Sequence, residues 1–324
     1  MKKLLGQLLK WAVSAALVWW LLRQIGLGRI FGMIRSADAG WLAAGFFLFL
    51  SSHVLGTIQW RLLLRDEAVH LPFRQLLSSY FAGLFFNNFL IGGAGGDVFR
   101  MVDIRNSSGK GISAVSSVLL DRMMGFLVMS GSTALAIPLA MRLKPFGGAF
   151  WTPFLVMMIG WLFFLFFFFS KRFAKLFTWA IHPFIPAKIQ VKMREVYRKI
   201  HAFGRKRSLF CRIILISFAV QSARIATHYL VARSLGILIS PIYFFLFIPI
   251  IAIMATLPIS IGGIGLREQT GVVLFGLVGM TAVQAVAVEF ISYLVAIGTS
   301  IPGGIVFAFK GLSRHRTEIK ESTP

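Results

Sequence analysis

Four carboxylates and four guanidinium groups stand inside or beside long apolar runs: Asp97, Asp121, Glu268 and Glu289 against Arg100, Arg122, Arg224 and Arg267. Asp103 lies near the first of them, in a polar stretch. An ionised group at the centre of a bilayer costs roughly 2.5–3.5 kcal/mol on insertion scales, so each needs a partner or a polar cavity. Equal numbers of acids and bases suggest pairing inside a helix bundle. Such pairs can also do no more than hold helices in register. Asp121 and Arg122 are sequence neighbours, point to different sides of a helix and cannot satisfy each other; a register role and a functional one both stand open for them. The arginines permit a second chemistry, because a guanidinium is a permanent, planar, bidentate donor matched to phosphate.

The stretch Leu257-Pro-Ile-Ser-Ile-Gly-Gly-Ile-Gly-Leu-Arg-Glu268 explains how such a site could be placed. Pro258 removes a backbone donor and Gly262, Gly263 and Gly265 weaken a helix where a membrane span should continue. Broken backbone at that depth is tolerated only where protein or a water-filled cavity covers it. The pattern occurs twice. Asn87 precedes Asn88-Phe-Leu-Ile-Gly-Gly-Ala-Gly-Gly96, which shares Ile-Gly-Gly-x-Gly with the second copy and is followed by Asp97 and Arg100. A half-helix starting at either motif aims unpaired N–H groups and a positive dipole end into the space the break opens. Glycine lets a ligand approach the backbone closely.

The surrounding elements are membrane spans. The 324 residues are 57% hydrophobic, with 33 Phe and 8 Trp, and runs near the length of a bilayer crossing recur throughout. The periodicity predicts spans over about Leu8–Leu22, Trp41–Trp60, Ile112–Ala140, Phe150–Phe169, Leu209–Leu235 and Ala282–Phe309. Net charge is +23, from 34 Lys+Arg against 11 Asp+Glu. The basic residues cluster beside the apolar runs, which points to inner-leaflet orientation and anionic lipid rather than nucleic acid. Residues 171–207 alone hold eleven Lys/Arg and a single acid, Glu195. This loop, the N-terminus and the tail are expected to be cytoplasmic. That arrangement requires residues 75–110 and 241–280 to enter and leave on the same side. The expected fold is therefore all-α and polytopic, with about six transmembrane helices and two re-entrant helical hairpins. The first hairpin enters from the cytoplasm and the second from outside, as in an inverted repeat. One membrane domain spans 1–310, and a polar tail over 311–324 is expected to fray. The basic, amphipathic stretch 187–207 reads as a helix on the inner leaflet or as a solvated loop.

Two polar stripes run along the later spans. Ser217, Gln221, Arg224 and His228 share a helix face, as do Glu289, Ser292 and Ser300. Such stripes commonly bond helix to helix, but an arginine in mid-span leans functional. The single cysteine, Cys211, excludes an internal disulfide and a cysteine-based zinc site. The six His lack metal-ligand spacing, and neither a Walker loop nor a Ser/His/Asp arrangement is present. No cofactor or metal is expected.

Asn87-Asn-Phe-Leu with Gly95-Gly-Asp-Val-Phe-Arg100, Val118-Leu-Leu-Asp-Arg122 and the Leu257–Glu268 motif together resemble the flippase-like family. This is the transmembrane region of lysylphosphatidylglycerol synthases and of the bacterial multiple peptide resistance factor. The likeness covers nearly the whole chain. It departs at Ile91, where relatives often carry Pro, and at Asp121-Arg122, where Glu-Arg is commoner. The resemblance implies a multi-pass protein of a prokaryotic cytoplasmic membrane that binds or moves a phospholipid or lipid-linked head group. The chain ends shortly after its last span, so the synthase activity is not expected. Residues expected to meet the head group are Asn87, Asn88, Asp97, Arg100, Asp121, Arg122, Arg224, Arg267, Glu268 and Glu289. Two rival readings remain. One is a membrane glycosyltransferase using a polyprenyl-phosphate-linked sugar, with Asp97 or Asp103 as general base. The other is a non-catalytic scaffold that partners lipid-modifying enzymes.

Overall fold

A computed structural model describes residues 32–89, 95–145, 147–148, 151–152, 154–155, 159–160, 187–256 and 263–321. The expected span Leu8–Leu22, most of Phe150–Phe169, and the glycine bends at 90–94 and 257–262 lie outside the described residues. The principal helices are α1 Ala39–Asp66, α2 Phe73–Phe89, α3 Gly95–Ser108, α4 Gly111–Leu143, α5 Ala187–Phe203, α6 Arg207–Ser234, α7 Pro241–Thr256, α8 Leu266–Gly276 and α9 Ala282–Glu321. The described residues contain no strand.

Among the described residues, four helices are long and apolar enough to cross a membrane: α1, α4, α6 and the Ala282–Phe309 part of α9. The helices between them in each set are short. At 1.5 Å per residue, α2 and α7 reach only about 25 Å, α3 about 21 Å and α8 about 17 Å, each less than a bilayer's hydrocarbon core of about 30 Å. The order long, short, short, long thus occurs twice, in α1–α4 and in α6–α9. The packing repeats with it. α2 lies on α9 as α7 lies on α4, and α2–α3 and α3–α4 are matched by α7–α8 and α8–α9. The most extensive contact joins the first helices of the two sets, α1 and α6. These two run antiparallel, because Gly45 meets Thr227 at one end of the seam and Gln59 meets Ser217 at the other.

Local chemistry fixes the helix starts. Asp38 caps α1 by accepting from the N–H groups of Gly40 and Trp41 at 2.8 and 3.0 Å. α8 starts from Gly265, whose φ of +84° is costly for any residue with a Cβ. The Glu268 carboxylate reaches back to accept from the Gly265 N–H at 2.6 Å, which is one half of a capping box.

Close helix approach depends on small residues, as membrane bundles require. A Cβ on Gly96 would stand 1.7 Å from the Gly83 carbonyl oxygen, and one on Gly303 would stand 2.0 Å from that of Phe81. The first contact closes α2 on α3 and the second closes α9 on α2. Each half keeps its own apolar core. Trp60, Tyr80, Ile104 and Val118 pack in the first; Phe244, Phe247, Phe275 and Val288 pack in the second.

The 187–207 stretch is helical, as the inner-leaflet reading requires, but part of its face is occupied by protein. Ile200 and Phe203 of α5 are buried with Leu63, Leu120, Met124 and Ile213. Lys199 pairs with Glu67, and Lys206 with Asp66, at the end of α1. These two lysines are therefore engaged by protein acids. The last helix also differs from expectation: it continues through Glu321 where fraying was expected after Phe309.

Candidate functional site

A cavity of about 560 Å³ opens among the helices. Eight of the ten residues expected to meet a head group line it: Asn87, Asn88, Asp97, Arg100, Asp121, Arg122, Arg224 and Arg267. They come from α2, α3, α4, α6 and α8, so residues far apart in sequence meet in one place. The charged groups divide into two sets.

The first set is an ion-pair network between α3 and α4. Both terminal nitrogens of Arg100 lie 3.1 Å from Asp121 Oδ2. Arg122 Nε donates to Asp97 Oδ2 at 2.7 Å, and Arg100 Nη1 stands 3.7 Å from Asp97 Oδ1. The neighbours Asp121 and Arg122 thus each reach across to α3, not to each other. The other oxygen of Asp121 accepts from Gln59 Nε2 at 2.9 Å, and Gln59 Oε1 accepts from Ser217 Oγ at 2.7 Å. The Arg100 guanidinium packs against both Trp60 and Tyr80, 4.0 and 4.5 Å from the ring centroids. Arg100 is only 5% exposed, so ring faces and carboxylates together replace its hydration.

The second set carries positive charge without an acid inside the lining. Arg224 projects from α6, where its Nη2 donates to the Tyr80 hydroxyl at 3.3 Å and its Nε has no hydrogen-bond acceptor. Arg267 lies over the Tyr293 ring at 4.6 Å. Tyr293 in turn donates to the Asn88 carbonyl at 3.4 Å, linking α9 to the end of α2. The lining therefore holds four arginines and two aspartates.

The asparagines position backbone. Asn87 Oδ1 accepts from the Gly96 N–H at 2.8 Å and so ties the end of α2 to the start of α3 across the bend. Asn88 Nδ2 donates to Ser300 Oγ at 3.1 Å and to the Ala296 carbonyl at 3.4 Å, fastening α2 to α9.

Glu268 and Glu289 are placed differently from expectation. Glu268 is 4% exposed and caps α8 rather than lining the cavity. Glu289 is 1% exposed and lies behind the lining, with Oε2 3.9 Å from His228 Nε2. Asp103, expected as one possible base, accepts from Ser79. The stripe on α6 holds: Gln221 and Arg224 line the cavity, Ser217 bonds to Gln59, and His228 lies one turn behind Arg224. Sequence reasoning passed over Gln59, Trp60, Tyr80 and Tyr293, the residues that frame the arginines. Gln59 carried a signal, as an amide at the end of an apolar span. The aromatic residues did not stand out among 33 Phe.

Several membrane-length helices around a polar, arginine-bearing cavity define a membrane protein with a buried polar site. The chain belongs to the family described as the lysylphosphatidylglycerol synthase TM region, which it matches over residues 7–303. It is also similar to a UPF0104 membrane protein of Pyrococcus horikoshii. The two are 22% identical over 328 residues, covering 94% of this chain and 96% of the relative.

Proposed function

We propose that this protein binds the phosphate-bearing head group of a phospholipid or lipid-linked sugar in the cavity and moves it across a prokaryotic cytoplasmic membrane. The observation that carries this reading is the convergence of four arginines, from α3, α4, α6 and α8, on one cavity. Arg224 and Arg267 hold the phosphate, while the Arg100–Asp121 and Arg122–Asp97 pairs shape the wall beside it. Family membership supports a lipid-related role.

The same reading gives the short helices a purpose. α2–α3 and α7–α8 are re-entrant hairpins, each bent at its glycine motif, with the N-termini of α3 and α8 inside the bilayer. The antiparallel α1–α6 seam relates the two sets by a twofold axis in the membrane plane, the geometry of an inverted repeat. Exchanging the conformations of the two halves would then expose the cavity alternately to each leaflet. The termini and α5 face the cytoplasm. Lys192, Arg194 and Arg198 are exposed on α5 beside Val191 and Met193, a surface suited to anionic lipid.

Purified protein in liposomes with a head-group-labelled phosphatidylglycerol tests the function. The expected result is movement of label between leaflets, lost in Arg224→Gln and impaired in Arg267→Lys, with both variants still folded. A point charge does not replace the planar fork. Absence of movement with turnover of an added polyprenyl-phosphate sugar would instead establish the glycosyltransferase reading. Absence of both would leave the scaffold role.

A further inference from the structure

Glu289 sits in the middle of a membrane span, 1% exposed, and its Oε1 has no hydrogen-bond donor. A carboxylate in such a place is either ionised against a nearby cation or carries a proton. Its surroundings come from three packed helices. From α6, His228 Nε2 lies 3.9 Å from its other oxygen. From α8, Arg267 and Glu268 are its charged neighbours, and a Cβ on Gly271 would stand 3.1 Å from Glu289 Cγ. From α7, aliphatic Ile251 closes the space by Gly271. Tyr293 follows one turn on along α9, beneath Arg267.

His228 Nδ1 lies 3.1 Å from the Arg224 carbonyl oxygen. With Nδ1 as the donor there, the Nε2 lone pair faces Glu289. The two side chains can therefore share a single proton, and its location within the pair does not change their summed charge. Without that proton the pair carries one negative charge; with it the pair is neutral. Arg224, one turn before His228 on α6, and Arg267 on α8 are the cavity arginines nearest the pair.

We infer that the Glu289–His228 pair is a proton-binding site coupled to anion binding in the cavity. The inference rests on the head-group reading above and adds to it a proton taken up with the bound anion. When the pair is deprotonated, its negative charge satisfies Arg267 and competes with an incoming phosphate. Protonation releases the arginine's field to the cavity. By linkage, the bound phosphate must raise the pair's affinity for a proton by the same factor. A proton gradient can then drive the lipid, because loaded protein carries one more proton than empty protein.

The test uses a soluble short-chain phosphatidylglycerol, whose phosphodiester stays monoanionic between about pH 5 and 9, far from its own titration. Its affinity for the detergent-solubilised full chain should be highest at low pH and fall with rising pH, by at most about tenfold per unit for one linked proton. Glu289→Gln should bind as tightly as the acid form and lose this dependence. Calorimetry of the wild type in buffers of different ionisation heat should show net proton uptake on binding, and this readout stands even if the variant fails to fold. A wild type that binds with no proton uptake and no pH dependence overturns the proton linkage and leaves the head-group reading standing. A variant that keeps the wild-type pH profile overturns it as well. Failure to bind the lipid at any pH defeats the head-group reading and this inference with it.

Discussion

Arg100 is the residue whose removal should cost most, and the cost can be worked from its contacts. Arg100→Met keeps the apolar stem but strips the guanidinium from Trp60, Tyr80 and Asp121. Two charge-assisted donors disappear from Asp121 Oδ2, leaving that buried carboxylate with Gln59 at its other oxygen. Breaking a buried pair from one side costs about 3–5 kcal/mol, and the lost ring stacking adds up to about 2 kcal/mol. A loss of about 5 kcal/mol is therefore expected. Adding Asp121→Asn removes the stranded charge, and the double variant should recover about half of the loss. Arg224→Gln forfeits one 3.3 Å hydrogen bond and should lose no more than about 1 kcal/mol. Unfolding by SDS in mixed micelles, followed by far-UV circular dichroism, measures all three. An Arg100→Met protein within about 1 kcal/mol of wild type, or a double variant worse than the single, would refute the account of Arg100 as a structural keystone.

Gly96→Ala should separate α2 from α3 and cost about 3 kcal/mol or more, because the neighbour it meets is backbone. Gly131→Ala, with open space around it, should be neutral or slightly stabilising in the same titration. Asn87→Ala should cost about 1 kcal/mol, with faster amide hydrogen exchange at Gly96 as its local signature. Glu67→Lys should loosen α5 and speed its proteolysis, and combining it with Lys199→Glu should restore protection if the ion pair is what holds the helix. Neutralising Lys192, Arg194 and Arg198 together should weaken binding of the purified protein to phosphatidylglycerol vesicles by about 1 kcal/mol per charge, in a salt-sensitive manner; unchanged binding would return this face of α5 to water.

Much of the site could be read from the sequence because the membrane makes polar residues conspicuous. An arginine such as Arg224 inside an apolar run has few places to go, and helical spacing alone puts it on one face with Ser217 and Gln221. The two glycine motifs were equally visible, since a span cannot run through Pro258 and three glycines unchanged. What spacing could not supply was pairing across helices. Nothing local shows that Arg122 turns to Asp97 while Arg100 takes Asp121, as both partners lie a helix away. Glu268 was misplaced for a different reason. Its position three residues after Gly265 is a capping signal, and capping satisfied a carboxylate that had been expected to face a ligand. The pairing of Lys199 and Lys206 was not legible because Asp66 and Glu67 lie more than a hundred residues earlier, at the end of another helix.

The interlocking of α2 with α9 also shapes how the chain must be made. Asn88 and Ser300, which bond in the finished protein, are 212 residues apart. At roughly 5–20 residues per second, a ribosome needs on the order of 10–40 s to go from one to the other. Through that interval α2 has left the ribosome without α9, and the backbone that Gly303 will cover at Phe81 has no neighbour from its own chain there. α7 emerges with α4, one of its partners, already synthesised. The first short helix is therefore the exposed intermediate of biogenesis, and the insertion machinery must shelter it until the last span arrives.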